Sequence, residues 1–445
     1  MKRILNDQAN NCLIHFYKRI FKKMPLKDIF KNQLLSDTVF KYLPLPDVKT
    51  VALVCKSWRE LIECGRFWQG SPSPLPTPIL RIRDESIFSS PRIMTVRKFK
   101  LDRWTDTDSE LVNLFFSFVS KNEDYEVEYL MCNDLLLTTV PTDLATAMCK
   151  VVELRLHGLQ LSKRQCNYLF RAIGNHSTNL KLKKLVLLNV VMQDLDVETL
   201  AMAVANIEEI TFGSVDLSED HWQAIFSAIC SKSLLRLREI VFIDYEPISH
   251  VRDVEIMAKA LCRVQCVGLY ECGLRTDQLT VMLTNISRAS ELQLQTLVLV
   301  DESIRGVTPS LLARAVCRLK RCSLVSLRGM TTLHLEKLCV EIVNCKNLSL
   351  TQLSMGHMSE IEDVREDILA SVVNRLEAVD FGDLTVVQLR AVFNRVIECS
   401  DSNLKELFLQ SGSRLEETEV NQSVMKKVRE KVKIYTNDCL IFIDD

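Results

Sequence analysis

Glycine is scarce in this chain, with 12 residues in 445. Its closest pairs, Gly65/Gly70 and Gly268/Gly273, stand five apart, and no Gly-Lys step occurs. A loop that cradles phosphate needs clustered glycines so that backbone amides can approach the anion, which excludes a nucleotide-hydrolysing site of that kind. Long apolar runs are missing too, and the opening residues are too polar for a secretory signal, so the expected location is cytoplasmic or nuclear. An excess of one charge sign is also absent. The 56 Lys and Arg nearly balance the 57 Asp and Glu, which gives no reason to expect a nucleic acid partner. No G-x-S-x-G elbow, H-E-x-x-H pair or EF-hand loop is found, so none of these catalytic or metal-binding motifs is available.

Cysteine is abundant, with 16 residues beside 7 histidines, but no CxxC pair exists. The spacings Cys262/Cys266, Cys266/Cys272 and Cys317/Cys322 do not make a zinc site with a histidine pair nearby. Cys166 and Cys339 take helical positions that Leu and Val hold elsewhere in the chain, so the thiols are expected to be reduced core residues. No metal or cofactor is expected.

With 47% hydrophobic and 25% charged residues, a chain of this length is expected to bury more than one ordinary core, as several domains or a repeat array. Residues 1–30 read as a basic arm, and Lys31 brings its Lys and Arg to eight against Asp7 and Asp28. Between 31 and 70 apolar residues fall at helical spacing in two groups, Leu35/Val39/Phe40/Leu43 and Val51/Val54/Cys55/Trp58/Ile62. Pro44 and Pro46 divide them, and Asp47 is placed to cap the second. A proline-rich connector, 71–78, follows as a stiff extended spacer.

From about Lys98 one unit recurs across the region 79–445. Apolar pairs flanking one residue appear at Phe99/Leu101, Leu154/Leu156, Leu185/Leu187, Ile210/Phe212, Ile240/Phe242, Val267/Leu269, Leu297/Leu299, Val325/Leu327, Leu353/Met355, Val379/Phe381 and Leu407/Leu409. With Val127 to Leu130 included, the steps between units are 29, 26, 31, 25, 30, 27, 30, 28, 28, 26 and 28 residues. Between them run i, i+3, i+4, i+7 stripes such as Cys166/Leu169/Phe170/Ile173 and Trp222/Ile225/Phe226/Ile229, each one face of a helix. A period near 28 that alternates strand and helix predicts an α/β solenoid. Ile79 to Arg83 are expected to pair with its first strand, Arg414 to Lys433 to form a polar capping helix, and Cys439 to Ile443 a last strand.

Two resemblances attach to these patterns. The helical module, with V-F-x-Y-L-P at Val39–Pro44, V-C-K-x-W at Val54–Trp58 and the closing Phe67-Trp68, resembles an F-box, a small all-α module. The repeats resemble leucine-rich repeats of the ribonuclease-inhibitor type, strands inside and helices outside, with Asn133 at the position of the closing asparagine and Cys272 substituting in one unit. The combination implies a substrate-recognition subunit of an SCF-type cullin-RING E3 ubiquitin ligase. The F-box would bind a Skp-type adaptor, and through it cullin and RING subunits, by way of Leu35, Val39, Phe40, Leu43, Pro44, Leu53 and Trp68. Lys31-Asn32-Gln33 stand where the family usually opens with Leu-Pro, which leaves a non-ligase scaffold or inhibitor as the alternative.

The target would sit on the inner strand face, because side chains alternate along a strand. There Val186/Leu188, Val241/Ile243 and Val298/Val300 are apolar where a solvated face would be polar, and Asp244, Glu271 and Asp301 align beside Tyr270. An apolar strip bordered by charge and aromatics is a protein-binding pattern.

Overall fold

The computed structural model describes residues 80–81, 96–102, 109–135, 137–175, 180–192, 194–243, 248–249, 251–356, 358–382, 384–399, 402–409 and 422–436. The basic arm, the two helical groups, the proline connector and the predicted last strand at Cys439 to Ile443 lie outside these residues. The chain divides into two compact units, Met1–Arg155 and Leu156–Asp445.

In the first unit, strands β1 (Leu80–Arg81), β2 (Lys98–Asp102) and β3 (Val127–Asn133) pair in parallel, so the expected partner of the first repeat strand is present at Leu80 and Arg81. Helix α1 (Ser109–Lys121) connects β2 to β3, and α2 (Pro141–Cys149) leads to β4 (Val151–His157), whose last two residues belong to the second unit. Phe99 from the strand meets Phe115 from the helix with ring centres 5.0 Å apart, and both are buried.

The second unit is an open stack of strand-helix coils. Strands β6 (Lys184–Leu188), β8 (Glu209–Gly213), β9 (Glu239–Ile243), β10 (Cys266–Tyr270), β11 (Thr296–Val300), β12 (Arg321–Val325), β13 (Gln352–Ser354), β14 (Ala378–Asp380), β15 (Glu406–Leu409) and β16 (Lys433–Thr436) each pair in parallel with the next. The register does not slip between these strands, because every coil must place the same two apolar anchors in the core. One expected pair is corrected by that register: the anchors of β12 are Cys322 and Leu324, which lie beside Leu297 and Leu299, and not Val325/Leu327. Val325 ends the strand and Leu327 follows its turn, and both are buried, which is why they imitate an anchor pair. Two-residue strands β5 (Gln160–Leu161) and β7 (Val191–Met192) make a separate parallel pair.

Helices follow the strands in alternating lengths. Long helices of 13 residues, α1, α3 (Lys163–Asn175), α5 (Glu219–Ser231), α7 (Thr276–Arg288), α9 (Thr332–Asn344) and α11 (Val386–Glu398), begin 54 to 57 residues apart. Helices of 7 to 10 residues, α2, α4 (Val197–Val204), α6 (Val254–Cys262), α8 (Pro309–Val316), α10 (Glu366–Val372) and α12 (Gln422–Lys431), begin 55 to 57 apart. The structural repeat is therefore a pair of coils, and α12 is the helix expected within Arg414 to Lys433.

Two sets of polar residues tie successive coils together. At the end of each short helix a side chain reaches back to the carbonyl end of the long helix before it: Lys150 to Val119, Ser120 and Asn122, Asn206 to Gly174, Arg263 to Ile229, Cys230 and Lys232, Arg318 to Ser287, Arg375 to Cys345, and Lys431 to Val396, Ile397 and Cys399. Five of these six groups are cations at the negative end of a helix dipole. At the start of the long helices, the third residue bonds to its own cap and to a carbonyl of the preceding coil: His221 to Ser218 and Leu195, Gln278 to Arg275 and Ile248, His334 to Thr331 and Val307, Gln388 to Thr385 and Ile361.

Candidate binding face

Each strand of the second unit turns its anchors toward the described helices and its alternate residues toward the opposite face. The midline of that face runs Val186, Thr211, Val241, Gly268, Val298 and Ser323 on neighbouring strands, in register. Val186, Val241 and Val298 are only 6%, 3% and 0% exposed, so the midline half of the expected strip is buried rather than presented.

What the face presents lies two residues further along each strand. Leu188, Tyr270 and Val300 are half-buried there and Ile243 is 38% exposed. Gly213 occupies the gap between Leu188 and Ile243, where an added Cβ would stand 2.5 Å from Leu188 Cδ2. Leu188 thus leans across a place that any larger residue would fill.

Just past this column the strands turn through left-handed residues. Asn189, Ser214, Glu271, Asp301 and Ser326 have φ of 52°, 48°, 52°, 54° and 49°. The conformation lets the backbone N–H continue the ladder, with Glu271 N–H donating to Val300 O at 2.9 Å and Asp301 N–H to Val325 O at 3.0 Å. Glycine adopts this conformation freely and stands there once, at Gly158 (φ 63°). Asn and Asp tolerate it better than most residues; a glutamate does not. Glu271 is exposed and Asp301 half-buried on adjacent strands, while Asp244 lies outside the described residues.

The next residue points inward and is apolar in most coils: Leu159, Val190, Val215, Cys272 and Leu327 are all buried. In one coil it is Glu302, 0% exposed. Its carboxylate accepts from the backbone N–H of Cys272 and, at 3.1 Å, of Leu274, so it secures the turn of the neighbouring coil. Burial holds the Glu302 carboxyl above its ordinary range, against the opposing pull of those two donors and of Arg328. A charged residue in an apolar register is the sequence signal that identifies it. Ser323 gave no such signal; its Oγ is buried with no hydrogen-bond partner.

The seven residues expected at the adaptor contact, Leu35 to Trp68, lie outside the described residues, and their grouping rests on sequence. Residues 36–70 match the F-box-like family model. The F-box-like stretch thus begins one residue after Leu35 and contains the other six. No curated protein matches the chain significantly. Among solved structures, a chain in the crystal structure of the Rad7 and Elc1 complex in yeast is similar at 13% identity, over 93% of this chain and 98% of its own, with a TM-score of 0.40.

Downstream of the F-box-like module most of the described cysteines are buried. Burial pushes Cys149, Cys166, Cys317 and Cys339 up to about 12 and Cys262 to about 11, and raises Cys132 and Cys322 further. A thiol held that high carries almost no thiolate at neutral pH. No cluster of three or more His, Cys, Asp or Glu suited to a metal ion occurs among the described residues, nor is any helix there long and apolar enough to cross a membrane.

Proposed function

We propose that this chain is the target-holding subunit of an SCF-type cullin-RING ubiquitin ligase. The observation that carries the proposal is the succession in one chain of an F-box-like match at 36–70 and an open stack of parallel strands whose face opposite the described helices presents apolar and acidic side chains. The module would bind a Skp-type adaptor, and through it cullin and RING subunits, while the stack holds a protein target. The chain would then act by raising the local concentration of target lysines near a conjugating enzyme held elsewhere, without supplying a nucleophile of its own. The raised thiols agree with that division of labour.

Co-expression with a Skp-type adaptor tests it. The wild-type chain is expected to co-purify with the adaptor, and Leu43→Lys with Pro44→Asp to abolish the complex. A wild-type chain that captures no adaptor would remove the ligase reading. It would leave the second one, a scaffold or inhibitor, which Lys31-Asn32-Gln33 in place of the usual Leu-Pro opening favours.

A further inference from the structure

We draw no further inference here: the strongest candidate, the side-chain cluster of Ser323, Ser354 and Asp380 set in register across β12, β13 and β14, is wholly buried, its Ser354 hydroxyl already donates to Asp380, and nothing in the structure shows what covers it.

Discussion

Glu302 shows how one residue can bind two coils and make their union depend on pH. It replaces Leu or Val at a fixed register position and satisfies two backbone donors of the preceding coil, Cys272 N–H and Leu274 N–H. Because burial raises its pKa, the folded state holds the proton to higher pH than the unfolded chain does. Between the two values the unfolded chain binds fewer protons, so stability falls as pH rises through that window. In Glu302→Gln the titration is gone, but the amide has one acceptor oxygen where the carboxylate has two, at a loss of about 1 kcal/mol. Thermal melts at acidic and neutral pH should therefore show wild type ahead of the variant by more at the acidic end. A constant gap would mean that Glu302 is not held above the ordinary carboxylate range.

At the scale of the element, the links between coils are specific enough to rank. Arg263 donates to three carbonyls at the end of α5, and Arg263→Met removes all three together with a cation at the dipole's negative end, a loss of about 2 to 3 kcal/mol in urea unfolding. At the equivalent place Asn206 is neutral, and Lys232 donates to Ala205 O and to Asn206 Oδ1 instead. His334→Gln should be neutral within about 0.5 kcal/mol, since Gln165, Gln278 and Gln388 already stand at that helix position, whereas His334→Ala should cost about 1 to 2 kcal/mol. The long helices are legible in sequence because 13 residues show a full stripe, as at Trp222/Ile225/Phe226/Ile229. The short ones are not, apart from α4 and the polar α12, because seven to nine residues with alanine in the stripe, such as Leu144/Ala145/Ala147/Met148, hold too few large anchors. The two-coil period was present in the alternating step lengths of the sequence, but only the helix lengths give it a cause. The candidate face was half legible: alternation finds the column of Ile243 and Val300, but it cannot show that Val241 and Val298 are buried.

Taken whole, the second unit is a one-dimensional stack, and its cooperativity depends on contacts between neighbours. The aromatic group of Phe212, Trp222, Phe226 and Phe242 is a large contact of adjacent coils, with Phe242 ring centres at 6.0 Å from Phe212, 5.5 Å from Trp222 and 6.5 Å from Phe226. All four are fully buried. Phe242→Ala leaves a cavity at a junction between coils, at a cost of about 3 to 5 kcal/mol. In a compact single core that loss would lower the midpoint and leave the slope of the denaturant transition unchanged. In a stack it weakens one interface selectively, so the coils on either side begin to unfold separately, and the apparent slope should fall with the midpoint. Phe242 lies in β9 of the second unit, whereas the F-box-like match lies at 36–70. Under mild urea Phe242→Ala should therefore lose amide-exchange protection in β8 and β9 at concentrations where adaptor capture persists. Simultaneous loss of both, with an unchanged slope, would show that the chain unfolds as one unit and that its two proposed roles are not carried by separable parts.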